Sequence, residues 1–243
     1  MPNSERSFPD RAQKTQLLLS AITIMSPPYA PLDNALLPAN IAIFLTTVTA
    51  GNIEVGNSRT TYSNAVQARL AAVRDVPKLA TRLVNYVKSN SGWKVQFARI
   101  KELCDKVRGV KPPLKTPEPP APQPGVPTPP PQKPRDRGNG SYAEMVDFLK
   151  LLGAALNTLP GYNPADPDLS DGALNALGPQ IESLNLIVGI AETTLISAQK
   201  HRLELYFTSG TGLADVFSAI KQTVKGQYGQ ASAQYAQVKN IRW

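Results

Sequence analysis

Leu174, Leu177, Ile181, Leu184, Val188, Ala191, Leu195, Ala198, Arg202 and Leu205 follow one another at alternating steps of three and four residues. Side chains spaced in this way fall on one stripe of an α-helix, whereas a strand would scatter them over both faces. All but Arg202 are apolar or small, so the stripe is a heptad seam sustained over about four heptads. The spacing predicts one helix over Asp171–Phe207. At 1.5 Å per residue it would be about 55 Å long, a scaffold for shorter helices.

The chain contains this seam twice. A shift of 133 residues lays Pro27, Tyr29, Pro31 and Asp33 on Pro160, Tyr162, Pro164 and Asp166. The same shift lays Leu36 on Leu169, Val55 and Gly56 on Val188 and Gly189, and Thr60 and Thr61 on Thr193 and Thr194. Ala65, Arg69 and Leu70 fall on Ala198, Arg202 and Leu203, and after a five-residue adjustment Gln96–Leu103 matches Gln234–Ile241. The shift carries the seam back to Ile41, Phe44, Val48, Gly51, Val55, Ser58, Tyr62, Ala65, Arg69 and Ala72, which predicts a second long helix over Asp33–Val73 with Pro38 near its start. A matched pattern of this length reads as duplication of one helical module.

Shorter helices are expected at Asp10–Met25 with Asp10 as N-cap, at Pro77–Lys88, and at Trp93–Val107. Prolines and turn residues at Ser26–Pro31, Asp75–Pro77 and Ser89–Gly92 separate them. Gly51 and Pro179 have no counterpart in the other copy, so each predicts a local kink. Gly56 and Gly189 coincide, which predicts close approach of a neighbouring helix. Twelve of the 23 residues from 112 to 134 are proline. Such a segment favours polyproline II, with a reach of about 70 Å. A stiff spacer between domains is preferred here over a PxxP ligand for an SH3-like groove. The expected fold class is therefore all-α: a tandem duplication of a four-helix, bundle-like unit of about 100 residues. The expected organisation is repeat 1 at 1–111, a Pro-rich linker at 112–140 and repeat 2 at 141–243, with the repeats packed about a pseudo-two-fold axis.

Composition narrows the chemistry. One cysteine, Cys104, excludes an intramolecular disulfide and a cysteine zinc site, and one histidine, His201, excludes His-rich metal sites. The net charge of +8 is uneven: residues 1–111 carry 15 Lys/Arg against 7 Asp/Glu, and residues 139–243 carry 7 against 9. Binding of nucleic acid or anionic membrane through the basic half is a possible consequence, but solvated helices show the same asymmetry. Leu17–Met25 is apolar for nine residues, yet the SPPYAP that follows has no small-x-small cleavage site. No run reaches the roughly 20 apolar residues of a membrane helix, so a cytoplasmic location is favoured.

Asp166, Asp168 and Asp171 precede the long helix and form a weak calcium-loop candidate. They lack the glycine turn and distal glutamate of an EF-hand, and helix capping is the preferred reading. Arg69 and Arg202 recur inside the seam and need a partner. A carboxylate or the carbonyls of a helix end are preferred over an anionic ligand. Tyr29 and Tyr162, each between prolines, are candidate aromatic hooks or loop packing groups. Trp93, Phe97 and Ile100 make a stripe that is either core or partner-facing. Ser209–Gly212 lacks the ending of a phosphate loop and reads as a helix stop and turn. No catalytic constellation, cofactor motif or metal set emerges.

In LPGYNPADPDLS, in the run from Glu192 to Gly229 and in AQYAQVKNIRW, the second half resembles a group of uncharacterised bacterial helical proteins from Bacteroidetes-like and related genomes. These are similar in a P-x-x-D-P-x-L-S entry, a long helix with A-x-x-x-R, a TGL turn and a closing Q-Y/F-x-Q-V-x-x-I. The resemblance covers most of residues 142–243, while the first copy lacks the TGL turn and the DPD entry. It implies an all-helical fold and adds nothing about mechanism. The expected function is a non-enzymatic structural or interaction protein, with a protein partner or self-association; the alternatives are a basic adaptor acting through the first half and an enzyme with an unrecognised carboxylate or Tyr/Arg site.

Overall fold

The computed structural model describes residues 7–109 and 141–243. The expected linker at 112–140 lies outside the described residues. Among them, every regular element is helical: α1 (Ser7–Thr23), α2 (Pro38–Val73), α3 (Val76–Ser89), α4 (Lys94–Val107), α5 (Tyr142–Leu156), α6 (Asp171–Phe207), α7 (Leu213–Tyr228) and α8 (Ala233–Lys239). The all-α class expected from the sequence is what the structure shows.

Every seam position from Ile41 to Ala72 and from Leu174 to Leu205 is buried or half-buried. Local chemistry sets the ends of the helices. Helix α2 starts at Pro38 rather than near Asp33, because proline suits the first helical position, where its missing N–H is no loss. A single 3-10 turn, Asn34–Leu36, precedes it, and the Asp33 carboxylate caps that turn by accepting the Ala35 N–H at 2.8 Å. Helix α6 has the same entry: turn Pro167–Leu169 is capped by Asp166, which accepts the Asp168 N–H at 3.1 Å. Asp10 is not an N-cap. Helix α1 begins three residues earlier, and Asp10 lies in its first turn, paired with Lys14 at 2.6 Å.

Helix α2 continues through Gly51, and α6 through Pro179. The shared glycines overturn an expectation. Gly56 and Gly189 are exposed, and a Cβ on either would meet nothing within 4 Å. Close approach occurs at Gly51 instead, where a Cβ would lie 2.8 Å from Leu205 Cδ1. It also occurs at Gly153, where a Cβ would collide with the Asn175 side chain.

Packing divides the chain into two compact units, residues 1–64 with 190–243, and residues 65–189. Each draws on both halves of the sequence, so the units of packing are cut differently from the repeats at 1–111 and 141–243. Length supplies the physical reason. A 36-residue seam helix is about 54 Å long, and the 14-residue helices that follow it are about 21 Å, too short to cover it. In the first unit the seam of α2 is covered by the seam of α6. The two segments run antiparallel there: Gly51 meets Leu205, and Glu54 lies 3.4 Å from His201. Leu18, Ile22, Ile41, Val48, Leu213, Phe217 and Ile220 fill this unit's core. The second unit's core contains Leu83, Val87, Trp93, Ile100, Leu149, Leu156, Leu174 and Ile181. Each fully buried Leu or Ile contributes roughly 1.5–3 kcal/mol before chain entropy is subtracted.

Candidate functional site

Heptad periodicity puts a guanidinium into each seam. In the first unit Arg202 is only 7 % exposed, and its Cζ lies 4.1 Å from the centroid of the Phe8 ring. In the second unit half-buried Arg69 holds the same distance, 4.1 Å, from the Tyr142 ring. Each seam cation thus lies against an aromatic face, a contact that heptad spacing does not announce. A guanidinium suits this role because it is planar and weakly hydrated. When desolvated, such a contact contributes about 2 kcal/mol.

An asparagine attends each site, and the two that the 133-residue shift superimposes are Asn52 and Asn185. Asn185 Oδ1 accepts a long hydrogen bond from Arg69 at 3.5 Å. Asn52 Nδ2 donates to the Tyr206 hydroxyl at 2.9 Å, and that hydroxyl donates to the Phe8 carbonyl at 2.7 Å. Burial pushes the Tyr206 hydroxyl up from its ordinary value, with the Asn52 hydrogen bond opposing.

Each unit also has a cleft beside the capped turn that opens its long helix. In the first unit a cleft of about 550 Å³ lies where turn Asn34–Leu36 meets α7. Leu36, Ile41, Phe44, Val216 and Ala219 make its apolar wall, and Asp33 and Asp215 bring two carboxylates to it. In the second unit a cleft of about 490 Å³ lies where turn Pro167–Leu169 meets α3. Arg82 lines it, ion-paired with Asp166 and, at 3.5 Å, with Asp168. Lys78 lines it too and pairs with Asp75 at 3.1 Å.

The calcium-loop candidates are thereby placed. Asp166 caps a turn and faces Arg82, Asp168 faces Arg82, and Asp171 Oδ1 accepts the Gly172 N–H of its own helix start at 2.8 Å. A guanidinium stands where two of the three carboxylates point. Tyr29 is 8 % exposed, so of its two readings it takes loop packing, and Trp93, 4 % exposed, belongs to the core. Trp93 Nε1 donates to the Pro160 carbonyl at 3.0 Å, and its ring packs with Tyr86 and Tyr162. The half-buried Tyr162 donates its hydroxyl to the Leu169 carbonyl, fastening the loop to the turn before α6. Burial raises its pKa. Cys104 is fully buried, and burial pushes its thiol up to about 12, which leaves it protonated and inert. In the turn before α7, Gly210 adopts φ +79°, its N–H donates to Asp215, and the Gly212 N–H closes on the Thr208 carbonyl at 2.7 Å.

Sequence reading missed Phe8 and Tyr142, the rings under the arginines, and Arg82, the cation of the second cleft. All three make their contacts across more than 70 residues of chain, beyond what periodicity reports. No family model, curated protein or solved structure matches the chain.

Proposed function

We propose that the chain is a non-enzymatic helical interaction protein, and that its two halves descend from one duplicated module. The observation that carries the interaction reading is an exposed, largely apolar stripe on an uncharged stretch of α2. Pro38–Ile53 of α2 has no charged residue, although Ile43 is 68 % and Ile53 58 % exposed. Ile43, Thr46, Ala50 and Ile53 form one exposed stripe of that helix. On α6, Ile190, Ile196 and Leu203 are exposed between sparse charges. Solvent-facing helices of monomeric proteins carry charge, and contiguous apolar stripes mark contact surfaces. The duplication is supported by matched seams, matched capped turns and matched Arg/Asn positions.

The test is a charged stripe. Ile43→Lys with Ile53→Lys, both at the surface, should leave unfolding within about 0.5 kcal/mol of the parent. The same pair should abolish cross-links formed in cells by a photoreactive residue placed at position 46 or 50. Undiminished cross-linking in the charged variant refutes the assignment of this face. Turnover in an unbiased substrate screen, lost when one polar residue is changed, refutes the non-enzymatic reading.

A second reading, adhesion to nucleic acid or an anionic membrane through residues 1–111, is favoured by the basic charge of that half. Local ion pairs weaken it: Arg74 and Lys78 pair with Asp75, Lys101 and Arg108 with Asp105, and Lys106 with Glu102. By length and composition alone α6 is long and apolar enough to cross a bilayer, with a window of mean hydropathy 1.3 of which 22 % is buried. Counterion release predicts affinity that falls steeply with salt. A flat salt response in liposome and nucleic-acid binding removes this second reading.

A further inference from the structure

The two clefts differ in one informative respect. Helices α3 and α7 bury residues at the same spacing, Val76, Ala80, Leu83 and Val87 in one, Leu213, Phe217, Ile220 and Val224 in the other. This register, a shift of 137, puts Arg82 opposite Ala219 and Lys78 opposite Asp215. The turn residues correspond as well, since Asp33 and Asp166 each cap the 3-10 turn beside their cleft. In the second unit the chain supplies its own cation: the Arg82 guanidinium lines the cleft and joins Asp166 and Asp168. In the first unit alanine stands at the place of that arginine, and a carboxylate at the place of Lys78.

We infer that the first unit's cleft is a binding site for an external guanidinium carried on a short apolar stem. The internal example shows the chemistry that fits. Asp33 and Asp215 flank a wall made by Leu36, Phe44 and Val216, and neither carboxylate forms an ion pair among the described residues. Each gives one oxygen to a backbone N–H, Ala35 for Asp33 and Gly210 for Asp215. Each keeps a second oxygen, and a guanidinium, with five N–H donors in a planar fork, can serve both. The volume of about 550 Å³ is that of a small-ligand pocket, and the apolar wall accommodates the stem. The inference stands on the cleft alone and does not depend on the proposed interaction role. A free alkylguanidinium and an arginine side chain of a peptide share this chemistry.

The test is titration of the whole protein, followed by backbone amide NMR, with n-butylguanidinium and with its near-isosteric neutral analogue n-butylurea. The cation should bind at least about tenfold more tightly, a difference of about 1.4 kcal/mol. It should move the amides of Gly210, Thr211 and Ala219. Asp33→Asn with Asp215→Asn should weaken the cation about tenfold; asparagine preserves the cap, so the turn persists. Ala219→Arg should abolish binding by placing the guanidinium internally. Arg82→Ala should release Asp166 and Asp168 from their internal cation and add a second set of responding amides near Leu79. An amidated arginine-containing tripeptide separates the sources: tighter binding than n-butylguanidinium assigns the site to a peptide arginine, weaker binding to a free small cation. Equal affinity for cation and urea, or unchanged binding in the double asparagine variant, overturns the assignment.

Discussion

Around Arg202 a ring, an asparagine and a tyrosine hydroxyl are linked through Tyr206, which is fully buried and ties Asn52 to the Phe8 carbonyl. Around Arg69 the ring and the asparagine recur, but Asn185 bonds the guanidinium itself, and the residue matching Tyr206 under the 133-residue shift is Val73. The same parts are therefore wired differently. In one unit the asparagine's amide nitrogen donates to a tyrosine, and in the other its amide oxygen accepts from the arginine. The lesson extends to the clefts, where one unit contains the cation that the other omits. Matched sequence positions keep a geometry, and single side chains then decide what occupies it.

The largest test of this comparison is Tyr206→Val, which gives the first unit the residue of the second. Losing a buried aromatic and its two hydrogen bonds should cost about 3–5 kcal/mol. The two tryptophans report separately, Trp243 from the first unit and Trp93 from the second. Urea unfolding followed through each in single-tryptophan backgrounds should show the loss through Trp243. Tyr206→Phe should lose less, about 1–3 kcal/mol.

Next in size is the pair of arginines. Arg202→Ala should cost about 2–3 kcal/mol, and half-buried Arg69→Ala about 1 kcal/mol, because exposure weakens a cation–ring contact. Equal losses in urea unfolding would break the distinction between the sites.

Alkaline pH sharpens it from another side. The Cys104 thiol lies at about 12 in the folded second unit and at 9.0 when unperturbed. Between those values the unfolded chain has released a proton that the folded chain retains, so stability falls as pH rises, by up to about 1.4 kcal/mol per pH unit. In the first unit burial likewise raises Tyr29 and Tyr206, from a higher ordinary value of 10.0. Lys221 in the same unit is lowered by burial, and works in the opposite sense below 10.5. The Trp93-reported unit should accordingly weaken first, from about pH 9, and Cys104→Ala should flatten that slope. A Trp243-reported loss beginning earlier would contradict the assignment.

The smallest effects are gains. Gly56→Ala and Gly189→Ala should each stabilise by about 0.5–1 kcal/mol, since both are helical, exposed and unobstructed. Gly51→Ala should gain less, because Leu205 has to move aside. Thermal unfolding of the three variants checks the order, and a gain at Gly51 as large as at Gly56 would remove the close contact as an explanation.

Much of the fold was legible. The bounds of α6 follow from the seam and the turns that flank it, and the shared role of Asp33 and Asp166 follows from their place before a helix. The candidate sites were legible only as positions. Arg69 and Arg202 stand out as cations in a greasy stripe, but Phe8 lies 194 residues from Arg202 and Tyr142 lies 73 from Arg69. The cleft's missing cation was hidden by register. The 133-residue shift aligns the long helices, while the charge swap at Arg82 and Ala219 appears only under the 137-residue shift that the buried faces of α3 and α7 define.

The chain's own order of residues determined that it is helical, where the long rods begin and end, and which face of each is buried. Those properties arise from side-chain period, caps and prolines, which act over a few residues. Tertiary structure decided what covers each seam, which ring receives each arginine and which carboxylates stay without a cation. Periodicity names a face and not its partner, and closing a longer loop adds only about 0.6 kcal/mol per doubling. Pairing across halves is therefore nearly as accessible as pairing within one, and the length of the seam tips the choice.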